Sequence, residues 1–193
     1  MAAKSTLRNM VLCLTLVCLF CSAVLGFVNY VTEAPIAEAS RKALQDALSL
    51  VLPENGEIST EASTVEIDGN VYEYYVQRAD SLENWAVKST VNGFGGALTV
   101  LVGIENGLVV HATKVLSHSE TPGLGAKCQD DEGFLDQFRG FDPAKERLLV
   151  RKDGGDIDAI TASTITSRAY TLAVSNAVKA AGEIKNRKEA NNE

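Results

Sequence analysis

Hydroxyl-bearing residues are concentrated just before a predicted helix near the end of the chain. Thr161, Ser163, Thr164 and Thr166 lie within one short run, and the small-residue spacing that follows predicts a helix over Thr166–Ile184. A helix N-terminus presents unpaired N–H groups and partial positive charge, both of which stabilise phosphate. A hydroxyl at this place could be phosphorylated, could hydrogen-bond a phosphate or could be esterified to one. The competing interpretation is simple N-capping by serine or threonine.

A glycine-rich loop is the second stretch with chemical potential. Residues 118–125 read HSETPGLG and follow a predicted strand. The proline fixes one φ angle, and Gly123 and Gly125 let the backbone approach a flat ligand with no side chain between. Glu120 supplies an acceptor and Thr121 a hydroxyl. The loop suits the edge of an isoalloxazine ring or a ribityl chain, and the alternative is an ordinary Gly-Pro turn.

Together these stretches resemble the FMN-binding domain found in the G subunit of Rnf electron-transport complexes and in the C subunit of Na⁺-translocating NADH:quinone oxidoreductases. Asn92–Gly96, followed by Leu98–Ile104, is similar to the glycine-aromatic-glycine start of that family's core strand. Ser117–Gly125 is similar to its S-H-x-E-T-P-G-L-G loop. Asp158–Thr164 is similar to its flavin-transferase target, an Asp, two spacers and [ST]-[GA]-[AS]-T. The resemblance runs from the N-terminal segment to about Val178.

The resemblance implies a covalently bound FMN. In this family the last threonine of the target is joined through its oxygen to the FMN phosphate, and the matching position here is Thr164. Asp158 matches the position that the flavin transferase recognises during maturation. The usual target reads Ser-Gly-Ala-Thr, whereas this chain has Thr-Ala-Ser-Thr, so Ser163 is a second candidate acceptor. The other residues implied to bind FMN are Glu120, Thr121, Gly123, Leu124, Gly125, Thr161 and Thr166.

The implied function is electron transfer between ferredoxin and NAD within a membrane-bound, ion-translocating oxidoreductase of the Rnf type. Other members of that complex are the expected partners, and little turnover is expected of the chain alone. The sequence holds no catalytic triad, nucleotide-binding fingerprint or metal-ligand set, so redox chemistry falls to a cofactor, with no catalytic residue and no metal expected. The C-type protein of the quinone oxidoreductase is the alternative within the family. An anchored extracytoplasmic sensor or ligand-binding domain without flavin is the alternative of another class.

An apolar segment near the N-terminus predicts one membrane-spanning helix. Met10–Val28 contains no charge and has the length of about 20 residues that a transmembrane helix needs. Lys4 and Arg8 precede it, so the positive-inside rule places the N-terminus in the cytoplasm. The remainder would then lie on the extracytoplasmic, periplasmic side of a bacterial inner membrane. A cleaved signal peptide is the competing interpretation, since Val24 and Gly26 are spaced like a cleavage site.

The order of the predicted elements indicates an α+β fold, a mainly antiparallel sheet with packed helices, preceded by the transmembrane helix. Two hairpin signals, Asp68-Gly69-Asn70 and Glu105-Asn106-Gly107, separate apolar runs. The predicted strands are Ser63–Ile67, Val71–Arg78, Trp85–Val91, Leu98–Ile104, Leu108–Val115 and Leu148–Arg151, and the further helices are Ala37–Leu52 and Asp131–Phe138. The predicted organisation is a cytoplasmic N-terminus (1–9), a transmembrane helix (10–31), a connecting helix (32–56), an FMN-binding domain (57–184) and a polar tail (185–193).

Charge and cysteine content exclude other classes of function. The formal net charge is −7, and the first 31 residues contribute Lys4 and Arg8 and no acid, so the predicted exterior domain is more acidic still. Such a surface repels phosphate backbones, and nucleic-acid binding is not expected. Of the four cysteines only Cys128 lies outside the apolar segment, so no disulfide is expected within the exterior domain.

Overall fold

The structure is a computed structural model that describes residues 7–79 and 82–192. The chain divides into two compact units, Met1–Ala43 and Leu44–Glu193. Most of the predicted cytoplasmic N-terminus, residues 1–9, lies outside the described residues.

Helix α1 is the long N-terminal helix Leu7–Val51. By length and composition it can cross a membrane, a test that an N-terminal signal sequence also passes. The predicted boundary between the transmembrane segment (10–31) and the connecting helix (32–56) falls inside this single helix. Pro35 lies within it, and the helix ends at Val51, shortly before Pro53. Proline lacks a backbone N–H and so removes one helical hydrogen bond, but this loss does not end a helix that is favoured on both sides.

The second unit is built on one antiparallel sheet in the order β1-β3-β4-β5-β6, with β2 also paired to β3. Its strands are β1 (Glu57–Ile58), β2 (Ser63–Ile67), β3 (Asn70–Ala79), β4 (Leu82–Asn92), β5 (Ala97–Ile104) and β6 (Val110–His118). The two remaining α-helices are α2 (Glu132–Leu135) and α3 (Thr164–Asn192). The predicted α+β fold with an antiparallel sheet is therefore confirmed.

The hairpin between β2 and β3 follows directly from its sequence. Ile67 pairs with Asn70, which leaves Asp68 and Gly69 as a two-residue turn. Their φ angles are 51° and 78°, as a turn with two left-handed residues requires. This turn sets the register of the first two long strands, so the predicted hairpin is confirmed.

Both faces of the central strand β5 are buried, which explains its nearly continuous apolar sequence. One face carries Val100 and Val102 into the main core beneath α3. The other face carries Leu101 into a smaller cluster with the end of α1. The residues from α1 in that cluster are Ala47, Leu48 and Val51, with Leu44 at its edge.

Three aromatic rings fix α3 against the segment that follows the glycine-rich loop. Tyr170 of α3 lies with its ring centroid 5.1 Å from that of Phe134 and 4.9 Å from that of Phe138. The Tyr170 hydroxyl donates a hydrogen bond to Thr113 Oγ1 at 2.7 Å. Burial raises the pKa of Tyr170, so this hydroxyl stays protonated and keeps donating. The N-terminal half of α3 is thus held by aromatic packing and by one partly buried hydrogen bond to β6.

Two further sequence predictions differ from the structure. The predicted strand Leu148–Arg151 is wrong: Val150 forms only an isolated bridge to Ile157, and the chain then enters the 3-10 helix Arg151–Asp153. The short apolar run is buried at Val150 alone and finds no sheet partner along its length.

Helix α3 continues through the predicted polar tail (185–193) as far as Asn192. Lys185 donates to the Asn106 carbonyl oxygen at 3.1 Å, and Arg187 donates to the Glu66 carbonyl oxygen at 3.1 Å. Lys188 forms an ion pair with Glu83. These contacts with the strand ends explain why a segment with few apolar residues remains helical.

Candidate functional site

A cavity of about 340 Å³ lies where α3 begins. Three separate parts of the chain form its walls: the glycine-rich turn between β4 and β5, the loop after β6 and the first turn of α3. The lining residues are Phe94, Glu120, Thr121, Leu124, Gly125, Ala162, Ser163, Thr164, Ile165 and Thr166. The structure therefore brings together the three stretches that the sequence singled out.

The buried carboxylate of Glu120 joins all three walls. Its Oε1 accepts a hydrogen bond from the Phe94 backbone N–H at 2.8 Å. Its Oε2 accepts from the Gly95 N–H at 3.3 Å and from the Thr166 hydroxyl at 3.0 Å. Because charge-assisted bonds of this kind are stronger than neutral ones, Glu120 holds the walls in one arrangement. We call these three bonds the Glu120 clamp.

Glycine is required where the backbone crosses this carboxylate. A Cβ built on Gly93 would overlap Glu120 Oε1, and one on Gly125 would lie 2.5 Å from Oε2 and 2.8 Å from Thr166 Oγ1. Both positions are therefore glycine because the clamp packs against their α-carbons. Gly125, one of the two glycines predicted to let the backbone approach a flat ligand, instead allows a close approach to a carboxylate of the same chain.

The predicted acceptor Thr164 is the first residue of α3 and is partly exposed. Its Oγ1 accepts a hydrogen bond from Lys152 Nζ at 3.3 Å. The neighbouring Ser163 differs sharply: it is buried, and its Oγ has no hydrogen-bond partner among the described residues. The first turn of α3 thus offers one accessible hydroxyl at Thr164 and one enclosed hydroxyl at Ser163.

The turn that leads into α3 is held by Ser167. Its hydroxyl donates to the Ser163 carbonyl oxygen at 2.9 Å and accepts from the Ile160 N–H at 2.9 Å. Between these points Ala162 has a φ angle of 63°, in the left-handed region that favours glycine. The usual target sequence has glycine at this position. Alanine adopts the same left-handed conformation here with backbone strain.

Asp158 lies outside the cavity on an exposed stretch before this turn. Its carboxylate forms an ion pair with Arg151 at 3.1 Å, and its side chain is 63% exposed. Gln137 holds the backbone of the same residue, because its amide accepts from the Asp158 N–H at 2.6 Å and donates to the Asp158 carbonyl oxygen at 3.2 Å. An exposed acid on a fixed backbone is compatible with recognition by another protein.

The predicted site residues do not all reach the cavity. Glu120, Thr121, Leu124, Gly125, Thr164 and Thr166 line it, whereas Gly123 and Thr161 are exposed and lie outside its lining. Their proposed contact with FMN stays a prediction. The sequence prediction missed Ile165, Lys152 and Gln137. Ile165 could have been predicted because it is the neighbour of Thr164. The other two reach the site through tertiary folding, and no pattern in the sequence around them indicates it.

The cavity has an apolar rim and a polar end. Phe94, Leu124 and Ile165 lie at the rim with 68%, 46% and 52% of their surface exposed. The α3 N-terminus and the Thr164 hydroxyl form the polar end. A planar aromatic group and an attached phosphate match this division, and the volume falls within the roughly 300–1,000 Å³ of small-molecule sites. The residues present therefore fit an FMN whose phosphate lies at the start of α3.

Cys128 provides no reactive thiolate beside this cavity. It is buried, and that burial, together with the nearby charges of Glu120 and Asp130, raises the pKa of its thiol to about 11. A thiol with this pKa stays protonated at neutral pH and is a poor nucleophile. Cys128 therefore supplies no nucleophile next to the cavity at neutral pH.

Comparison with known proteins agrees with this geometry. Residues 93–179 match a family model described as an FMN-binding domain, and residues 1–51 match one described as the RnfG N-terminal region. The chain is 33% identical to the G subunit of the ion-translocating oxidoreductase complex of Vibrio vulnificus, over 83% of this chain and 84% of that protein. This chain belongs to the family of G subunits of ion-translocating oxidoreductase complexes.

A second relative is also a G subunit of an ion-translocating complex. The G subunit of the proton-translocating ferredoxin:NAD⁺ oxidoreductase complex of Clostridium ljungdahlii is 31% identical over 86% of this chain and 86% of its own length. Among solved structures, the C subunit of the Na⁺-translocating NADH-quinone reductase of Parabacteroides distasonis matches with a TM-score of 0.48 and 19% identity, over 66% of this chain and 77% of that one. The predicted family is confirmed by the relatives of known sequence.

Proposed function

We propose that this chain is the FMN-carrying electron-transfer subunit of a membrane-bound, ion-translocating oxidoreductase complex, with FMN joined to Thr164 by a phosphoester. Membership of the G-subunit family supports the role in the complex. The observation that carries the covalent assignment is the partly exposed Thr164 hydroxyl at the start of α3, on the wall of a cavity with an apolar rim.

The same geometry favours Thr164 over Ser163 as the acceptor. Attack on phosphorus requires that the hydroxyl oxygen approach in line with the leaving group. The Ser163 Oγ is enclosed by protein, whereas Thr164 lies at the surface of the first helical turn. A transferase therefore reaches Thr164 without rearranging the turn that Ser167 holds.

Attachment requires an activated FMN, because a phosphate monoester does not condense with an alcohol in water unaided. A flavin dinucleotide such as FAD supplies that activation through its phosphoanhydride. The bond between Thr164 Oγ1 and the flavin-side phosphorus forms, the anhydride bond to AMP breaks, and AMP leaves while the hydroxyl proton is released. The flavin is neither oxidised nor reduced in this step. A flavin transferase that reads the exposed Asp158 is the partner we propose for maturation.

In the assembled complex, bound FMN accepts and donates electrons, and the chain fixes its position near other redox centres. We propose that α1 remains as a single-pass anchor and that the FMN domain faces the extracytoplasmic side, since Lys4 and Arg8 precede the apolar segment. The proposed transfer runs between ferredoxin and NAD, as the name of the Clostridium ljungdahlii relative indicates for that protein. Other members of the complex supply the ion path.

The test is covalent flavin on the full-length chain, coexpressed with a flavin transferase. We expect a denaturing gel to show flavin fluorescence at the chain's mass, and intact-mass measurement to show the mass added by one FMN residue. Thr164→Val removes the oxygen but keeps the branched shape, so it should reduce the signal to background. The matched control Ser163→Ala should retain full labelling.

Loss of label in Ser163→Ala together with retention in Thr164→Val would move the acceptor to Ser163. A wild-type chain without label under these conditions would contradict the covalent assignment and favour an anchored domain that works without flavin.

A further inference from the structure

Lys152 donates a hydrogen bond to the proposed attachment point, and we propose that it binds the phosphate of FMN at Thr164 and favours its attachment. This inference rests on the function proposed above. It concerns a residue outside the predicted target sequence, on the 3-10 helix Arg151–Asp153. Lys152 Nζ already donates to Thr164 Oγ1 at 3.3 Å, so its ammonium lies within reach of any phosphate joined to that oxygen.

Two other cations of this region, Arg151 and Arg168, are committed to carboxylates. Arg151 pairs with Asp158, and Arg168 binds Asp153 through two bonds of 2.7 Å each. The Arg168 guanidinium holds the pKa of Asp153 below its usual range. Lys152 forms no ion pair with a carboxylate among the residues that the structure describes, although Asp153 feels its charge.

The surrounding loop is otherwise acidic, and this gives the lysine its importance. Asp153, Asp156 and Asp158 lie on the same loop, and Asp156 accepts from the Arg147 N–H at 2.7 Å. Arginines pair with Asp153 and Asp158, whereas Asp156 has no cationic partner among the described residues, so its charge opposes a phosphate that approaches Thr164. The Lys152 ammonium and the α3 N-terminus offset that repulsion at the atom where the phosphoester forms.

A second feature of the same helix start also points to a polar ligand. Ser163 is one of the residues that line the cavity, and its hydroxyl is buried and has no hydrogen-bond partner in the described part of the chain. Buried polar atoms in native proteins are nearly always paired, so an unpaired hydroxyl on a lining residue is consistent with a polar ligand close to it. The start of α3 thus retains one hydroxyl that no described protein group satisfies.

The experiment uses the full-length chain in detergent, with FAD as donor and a flavin transferase. The variants are Lys152→Met, which removes the charge and keeps the stem, Lys152→Arg, which restores a charge, and Lys179→Met, an exposed lysine farther along α3. We measure the initial rate of covalent labelling at low and high salt. For each labelled protein, ³¹P nuclear magnetic resonance reports the environment of the tethered phosphate.

We expect Lys152→Met to label about 3-fold or more slowly than wild type at low salt, with the difference shrinking as salt screens the charge. Lys152→Arg should recover most of the rate, and Lys179→Met should match wild type. The ³¹P resonance should shift in Lys152→Met and stay in place in Lys179→Met. A merely structural role for Lys152 would leave that resonance unchanged.

Two results would overturn the proposal. If Lys152→Met labels at the wild-type rate, the lysine does not assist attachment. If labelling slows but the ³¹P resonance does not move, Lys152 is read by the transferase and does not bind the phosphate. Failure of the wild-type chain to label at all would instead reject the covalent function, and that result is visible before any lysine variant is compared.

Discussion

Glu120 illustrates how a residue chosen for its chemistry can serve the architecture of a site. Its position in the glycine-rich loop suggested a contact with flavin, and its side chain does belong to the cavity wall. Both of its oxygens are nevertheless engaged by the backbone of the turn before β5 and by Thr166 of α3. Its main contribution is to hold the walls together, and any contact with FMN is additional.

Glu120→Gln should therefore weaken the fold. The glutamine amide has one oxygen, which still accepts, and one NH₂ group, which can only donate. That NH₂ group would face an N–H or hydroxyl that donates to Glu120 in the wild-type clamp. We expect a loss of about 1–3 kcal/mol in the free energy of unfolding, since a buried donor then lacks its partner. For a domain of this size that lowers Tm by roughly 2–4 °C per kcal/mol. The single tryptophan, the buried Trp85, gives the fluorescence signal for thermal unfolding of the unlabelled chain.

The control for this variant is Glu54→Gln, a change of the same chemistry on an exposed residue. It should leave Tm within about 1 °C of wild type, because exposed substitutions of this kind have little effect. Equal Tm values for the two variants would show that the clamp contributes little to stability.

The turn before α3 shows an element whose backbone was only partly predictable. The hydroxyl residues at the start of α3 are a local sequence pattern that predicts the helix. The apolar run of β5 is likewise a local pattern that predicts a buried strand. The left-handed conformation of Ala162 has no such signal in an alanine, although the glycine of the usual target sequence indicates it in retrospect. Lys152 and Gln137 were not predictable because they approach the site through tertiary folding.

Ala162→Gly should raise stability. Glycine adopts a φ near 63° without the steric cost of a Cβ, which for other residues is of order 1 kcal/mol. Part of this gain is lost because glycine also gives the unfolded chain more conformational freedom. We expect Tm to rise by roughly 1–3 °C in thermal unfolding followed at Trp85.

The comparison is Ala144→Gly, at an exposed alanine that has no positive φ angle. There only the unfolded-state effect applies, so Tm should fall. A fall in Tm for both variants would mean that the Ala162 turn stores no strain.

At the scale of the whole molecule, the last two turns of the 45-residue helix α1, from Leu44 to Val51, belong to the packing of the acidic α+β domain. The end of α1 packs on the face of the sheet opposite α3, and Gly103 of β5 lies directly beneath the Val51 carbonyl oxygen. The sequence predicted both the helix and the strand, because each has its own periodicity. It did not predict their contact, since nothing local shows that a strand glycine makes room for a distant backbone.

Gly103→Ala should disturb this contact, because the new methyl would overlap the Val51 backbone. We expect a loss of roughly 1–3 kcal/mol, as is usual for overpacking in a core. Gly107→Ala is the matched control, because the nearest atom to its Cβ would be Val109 Cγ2 at 3.9 Å. Thermal unfolding of the full-length chain in detergent should show a lower Tm for the first variant and a nearly unchanged one for the second. Similar values would indicate that the end of α1 shifts freely on the sheet.

The Glu120 clamp has a consequence for the order of events during biogenesis. All of its donors belong to the polypeptide, so the pocket acquires its shape from the chain's own bonds. The flavin transferase that we propose would then act on the folded domain and not on a linear sequence, so a short synthetic peptide that spans the target should be a much poorer substrate than the intact domain. Only chains that have already folded would then carry covalent flavin, so the yellow colour of bound flavin would report the fraction of folded protein.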